Sequence, residues 1–210
     1  YHTEHLELYL DAIDEMASMG FNTVHVLTPV FQRDGAADEI EMLVGPGKGP
    51  ARDDLMRVLA HARSRGLKIV LMPQINFISP RGNEWRGKIQ PDNWQLWWAS
   101  YQRMILSFAD LAQEAEVDMF TVGCELLTTQ KAEHLPRWQR IISEVRSRFG
   151  GALTYSTNWD SYQKVEFWDQ LDAIGISAYW DVTTEAEDRE HPTDIEIATR
   201  WQKIRKDVFA

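Results

Sequence analysis

Four times along its 210 residues this chain runs an amphipathic helix into a mostly apolar strand, and in three of the four cases a glycine stands at the join. Leu6, Leu10, Ile13 and Met16 recur at helical spacing before Gly20 and the strand Phe21 to Leu27. Leu55, Val58, Leu59 and Ala62 do the same before Gly66 and Leu67 to Met72, with Pro29 and Pro73 expected to end these two strands. A tryptophan-rich helix from Trp94 to Leu111 leads into Asp118 to Leu127, and a helix from Leu135 to Phe149 leads through Gly150 and Gly151 into Ala152 to Asn158. A short helical linker, Tyr162 to Trp168, then precedes a fifth strand, Leu171 to Tyr179, and a final helix is expected over Asp194 to Val208.

Strands alternating with amphipathic helices require a parallel sheet with right-handed crossovers, either open and doubly wound or closed into an eightfold barrel. No G-x-G-x-x-G or phosphate-binding loop follows any strand, so the usual reason to choose the doubly wound fold is missing. Each strand is followed by an irregular segment before the next helix, as in a barrel whose upper face is built from post-strand loops. The expected fold is therefore α/β, a (β/α)8 barrel of TIM type. It is incomplete in this chain: strands 2 to 6 are recognisable, the first and last two are missing, and residues 1 to 210 form a single domain. A chain that opens on Tyr1 without an initiator Met is expected to be trimmed.

Composition excludes several classes. A formal net charge of -10 without a basic cluster disfavours a nucleic-acid partner. The apolar runs are strand-sized, well short of the roughly 20 residues that span a bilayer. Cys124 is the sole cysteine, which rules out an intrachain disulfide and a cysteine-based zinc site. The histidines are scattered, so no metal and no cofactor is expected. Glu185 to Glu190 reads as a solvated charged loop. Trp94, Trp97, Trp98, Trp138 and Trp201 lie on helices and are expected to pack.

The strand-ending residues carry the functional signal. Pro29, Phe31, Gln32, Gln74, Asn76, Glu125, Asn158, Trp159, Tyr179, Trp180 and Asp181 should share one rim. Amides and carboxylates hydrogen-bond hydroxyls and aromatic rings cover apolar sugar faces, so a carbohydrate is the matching ligand. Glu125, ending an apolar run, suits the general acid of glycoside hydrolysis. Retaining enzymes place a second carboxylate roughly 5 Å away to attack the anomeric carbon. Asp160 and Asp181 are the weak candidates for that second role. A carbohydrate-binding barrel without catalysis is the alternative reading.

Trp85-Arg86-Gly87, Gly123-x-Glu125-Leu126, Tyr155-x-x-Asn158-Trp159 and Phe167-Trp168-Asp-x-Leu171-Asp172-x-Ile174-Gly175-x-x-Ala178-Tyr179 resemble, in order and spacing, the motifs of glycoside hydrolase family 113. The resemblance implies a retaining endo-β-1,4-mannanase on a clan A barrel, with Glu125 as acid/base and Asn158 and Tyr179 in support. Gln74, Asn76, Trp85, Arg86, Trp159 and Trp180 are the implied substrate-binding residues. The family's nucleophile is a Glu ending the seventh strand, and none is carried over to this chain. Where the family tends to have Lys-Pro-His-Val-Asp, this chain has Met72-Pro73-Gln74-Ile75-Asn76, and Cys124 stands before the acid/base where the family usually has Thr.

Overall fold

The computed structural model describes residues 5 to 183 and 191 to 208, so the acidic run Glu185 to Glu190 lies outside the described residues. The backbone divides into two units, residues 1 to 176 and residues 177 to 210. In the first, α1 (Leu6–Ser18), α2 (Arg52–Ser64), α3 (Trp94–Glu114) and α4 (Leu135–Arg146) alternate with β1 (Thr23–Gln32), β3 (Lys68–Phe77), β4 (Met119–Cys124) and β5 (Ala152–Asn158). A two-residue strand, β2 (Ile40–Glu41), and β6 (Ala173–Ser177) complete an open six-stranded sheet in the order β2-β1-β3-β4-β5-β6. The neighbours β1/β3, β3/β4 and β4/β5 are parallel, as the expected partial barrel requires.

Alternate residues of each strand face the helices. Val24, Val30, Ile69, Leu71, Ile75, Phe120, Val122 and Leu153 join Leu55, Leu59, Trp97, Ile105, Trp138 and Ile142 in one buried core. Burying each such large side chain contributes about 1.5–3 kcal/mol. Trp97, Trp98 and Trp138 are the packing residues expected of them, whereas Trp201, on α5 (Asp194–Val208) in the second unit, is 48% exposed and meets Trp180 edge-on at 6.3 Å. Among the described residues no helix is long and apolar enough to cross a membrane.

Three boundaries differ from the sequence expectation. β1 and β3 run through Pro29 and Pro73 and stay paired to Gln32 and Phe77. A proline lacks the N–H of a ladder bond and is tolerated where a strand has only one partner. β2 joins β1 only at Phe31 and Gln32, and β4 joins β3 only at Val70 and Leu71, so each proline sits where its strand is laddered on one side. The segment between β1 and α2 contains β2, where Ser100 Oγ accepts the Ile40 N–H at 2.9 Å. β6 is shorter than expected, and Tyr179, Trp180 and Asp181 follow it in the second unit.

Three of the four joins between helix and strand share one geometry. After α1 and α2, Gly20 and Gly66 take positive φ (86° and 76°), and Phe21 and Leu67 donate back to Met16 and Ala62. After α3 the same Schellman pattern forms, with Val117 donating to Ala112, but the left-handed residue is Glu116 at φ 51°. A side chain with a Cβ costs about 1–2 kcal/mol there, and the exposed Arg63–Glu116 pair at 3.7 Å returns little of it. Glu116→Gly is therefore expected to stabilise the protein by about 1 kcal/mol. A denaturant midpoint that does not rise would contradict this.

Candidate active site

The site grows from the C-terminal ends of β3, β4 and β5. In-register pairing puts Phe31 beside Asn76 and Pro29 beside Gln74. Gln74 Nε2 donates to Cys124 Sγ at 3.4 Å, and Cys124 pairs with Ser156. Alternation along β3 and β5 puts Gln74, Asn76, Ser156 and Asn158 on the sheet face that lies away from the helices. A register shift in β4 between Thr121 and Cys124 brings Cys124, of the same parity as the core residues Phe120 and Val122, beside Ser156 and Gln74 on that face. Cys124 is buried, and burial pushes its thiol pKa up.

Glu125 follows directly on β4. It is 8% exposed and adopts φ 55°, a left-handed conformation unusual for a residue with a side chain. Its Oε2 accepts from Arg86 Nη1 at 2.8 Å. Arg86, on the loop between β3 and α3, is itself held by Ile75 O at 2.8 Å through Nε and by Asn76 Oδ1 at 3.1 Å through Nη2. Where the sequence reading expects a carboxylate beside Glu125, its charged partner is thus a guanidinium anchored to the end of β3.

A cleft of about 440 Å³ adjoins this pair, with Phe31, Phe77, Pro80 and Trp85 as apolar wall and Asn76, Glu84 and Arg86 as polar groups. The Trp85 indole lies against Gly87, so close that a Cβ on Gly87 would come within 2.4 Å of the ring. The loop carrying Pro80 is tied down by Glu84, whose Oε2 accepts the Gly35 and Arg81 N–H groups at 3.1 and 2.9 Å, and by Arg81 on Asp34 at 3.2 Å. Those contacts hold the Glu84 carboxyl below the usual range, the backbone bonds first.

The sequence-named residues separate into groups. Asn76, Trp85 and Arg86 line the cleft, Glu125 is joined to it through Arg86, and Gln74 meets Cys124 next to Glu125. Asn158 ends β5 with its Oδ1 buried and without a hydrogen-bond partner among the described residues. Trp159, beside it, is 39% exposed. Tyr179 and Trp180 belong to the second unit, and Gln32 serves structure: fully buried, it donates to Asp34 O and Ala37 O and accepts from Trp97 Nε1. Glu84, Phe77 and Pro80 escaped the sequence reading because they follow the expected end of β3. Their adjacency to Trp85 and Arg86 was the available signal.

The segment leading into α4 carries the buried His134, whose Nδ1 accepts from Trp98 Nε1 at 3.3 Å. Burial lowers its pKa from the ordinary 6.5, opposed by Glu133, whose Oε1 is 3.5 Å from Nε2, and aided by Lys131 and Arg137. A histidine whose folded pKa is depressed binds fewer protons in the native than in the unfolded chain. Stability is therefore lost as pH falls below about 6.5, and the loss levels off below the folded pKa. His134→Gln, which can still accept from Trp98, is expected to flatten the fall in melting temperature between pH 7 and pH 5. Parallel curves for the two proteins would show that His134 titrates normally.

The sequence profile of glycoside hydrolase family 113 matches residues 6–209. The structure is similar to that of the family 113 β-mannanase AaManA from Alicyclobacillus acidocaldarius, solved in complex with ManMIm: TM-score 0.75 and 29% identity over 83% of this chain and 56% of that one. Two other solved family 113 β-1,4-mannanases give TM-scores of 0.77 and 0.75, at 26% and 28% identity over 98% and 86% of this chain. This chain spans 62% and 58% of their respective lengths. No curated protein matches it in sequence. With its profile match running from the first helix to the last, the chain belongs to glycoside hydrolase family 113.

Proposed function

We propose that the protein acts as a retaining glycoside hydrolase on a β-1,4-linked mannan, with Glu125 as general acid/base. The observation that carries this is the placement of Glu125: a buried carboxyl at the C-terminal end of a parallel strand, turned by its left-handed backbone onto the face where Gln74, Asn76, Arg86 and an aromatic cleft converge. Family membership and the similarity to solved β-mannanases support the substrate class.

In this reading Glu125 protonates the departing glycosidic oxygen while a second carboxylate attacks the anomeric carbon, and Glu125 then takes a proton from the water that releases the sugar. No residue of this chain is assigned as the nucleophile. Asn158 supports the chemistry, its unpartnered Oδ1 offering an acceptor to a sugar hydroxyl. Gln74, Asn76, Trp85, Arg86 and Trp159 contact the substrate, and Tyr179 and Trp180 are assigned supporting and binding roles on the motif resemblance. The Arg86 guanidinium holds the Glu125 carboxyl in place on the site face through their 2.8 Å contact.

Incubation with β-1,4-mannan, reading released reducing ends and following the product anomer by NMR, tests the proposal. Release with the β-anomer appearing first is expected. Binding of mannan without release would replace the hydrolase by a carbohydrate-binding barrel, and the α-anomer first would make the mechanism inverting.

A further inference from the structure

Among the described residues only Glu116 and Glu125 combine a side chain with a left-handed backbone. Glu116 closes a helix, where that conformation satisfies the last carbonyls. Glu125 closes no helix, so something else must hold it. Regular strand alternation from Cys124, whose thiol meets Gln74 on the site face, would send the next side chain to the opposite face, among the helices. The left-handed turn cancels that alternation. It brings the Glu125 carboxyl to Arg86 and delivers Leu126 to the core, where it is 1% exposed.

Three hydrogen bonds from backbone N–H groups frame the turn. Glu125 N–H continues the ladder to Ser156 O at 2.7 Å, and Leu127 N–H returns to Glu125 O at 3.1 Å. Between them Leu126 N–H donates to the Tyr155 hydroxyl at 3.0 Å, and of the three bonds it alone uses a side chain. The same hydroxyl oxygen accepts Gln130 Nε2 at 3.0 Å, which also reaches Thr157 Oγ1 at 2.6 Å. The fully buried Tyr155 ring is fixed between Trp138 and Phe167, with centroids 5.3 and 5.2 Å away. Burial drives its phenol pKa far up, so the group stays a neutral acceptor across any working pH.

We propose that Tyr155 is a positioning residue for the acid/base: its hydroxyl, held in place by Gln130, accepts Leu126 N–H and thereby locks Glu125 in the left-handed conformation that turns its carboxyl into the site. The inference rests on the role proposed for Glu125. Without the hydroxyl, the Leu126 N–H is buried and unpaired, and the turn loses the bond that distinguishes it from a continuing strand.

Tyr155→Phe keeps the ring and removes the latch. Thr157→Val is the control, since it deletes the other bond of Gln130 in the same network and leaves Leu126 N–H alone. Exchange of the Leu126 amide, followed by NMR on the whole chain, is expected to quicken about tenfold or more in Tyr155→Phe and to stay near the wild-type rate in Thr157→Val. On β-mannan, kcat should fall about 10- to 100-fold in Tyr155→Phe, with KM changed by no more than about threefold. Unchanged Leu126 exchange, an equal effect in Thr157→Val, or a loss confined to KM would overturn the proposal. If Tyr155→Phe fails to fold, Gln130→Leu must quicken the same amide to a smaller degree, and unchanged exchange there counts against the latch. Should the wild-type protein hydrolyse no β-glycan, the hydrolase reading fails, while the exchange measurement still decides whether Tyr155 holds the turn.

Discussion

Glu125→Gln is expected to lower hydrolysis of β-mannan about 10²–10⁴-fold, the usual contribution of a positioned general acid/base, while leaving the fold intact. Glutamine has the same shape and can still accept Arg86 Nη1 through its amide oxygen, so the 2.8 Å contact survives as a weaker, singly charged hydrogen bond. The backbone at φ 55° is no more strained by Gln than by Glu. What disappears is the transferable proton. Leaving groups of low pKa need no protonation, so activated aryl glycosides should lose much less in the bond-breaking step than mannan does. Loss of equal size on both substrates would assign Glu125 another role, and a rate near wild type on mannan would remove it from the chemistry altogether. Thermal unfolding measured alongside separates either outcome from loss of fold.

Trp138→Ala is expected to destabilise the protein by about 3–5 kcal/mol, a large share of the roughly 5–15 kcal/mol by which domains are stable. The Trp138 side chain is fully buried at the centre of a ring cluster: it stacks on Phe167 at 5.0 Å and meets Trp98, Tyr101 and Tyr155 edge-on at 5.4, 5.7 and 5.3 Å. Alanine leaves a void that the four surrounding rings cannot close, and it orphans the Thr129 carbonyl, which accepts Trp138 Nε1 at 2.9 Å. At roughly 2–4 °C per kcal/mol for a chain of this size, the melting temperature should drop by about 6–20 °C. A drop under about 3 °C would show that the cluster repacks. The effect reaches the site as well, because Thr129 donates through its hydroxyl at 2.7 Å to Leu126 O, one residue beyond Glu125.

The same cluster explains why Gly123 precedes the site. A Cβ there would lie 2.8 Å from both the Trp138 and Tyr155 rings and 2.9 Å from the Tyr101 hydroxyl. The glycine of the Gly123-x-Glu125 motif is therefore a packing requirement of three aromatic neighbours, which no local pattern announces.

Much of the fold was legible in the amino-acid order. Apolar residues three and four apart before Gly20 and Gly66, and β-branched runs after them, specify helix, stop and strand through neighbours within one turn of chain, and the alternation of those units leaves few topologies. Glu125 was legible for the same local reason, as a carboxylate at the end of an apolar strand. Strand length was not. Whether Pro29 and Pro73 end a strand depends on which side of it has a partner, and that is a property of the sheet. The helical tryptophans show the same division: spacing predicted the packing of Trp97, Trp98 and Trp138, and the environment of Trp201 departs from it.

The order of residues by itself determined the alternating α/β architecture, the family, and the carboxylate at the end of the fourth strand. Tertiary structure alone decided that this carboxylate faces a guanidinium 39 residues earlier in the chain and that its neighbour's N–H is latched by a phenol 29 residues later. Helices and strands arise from interactions over a few residues, whose spacing a sequence displays. The Arg86–Glu125 pair and the Tyr155 latch join distant segments whose closeness exists only once the parallel sheet has set β3, β4 and β5 side by side.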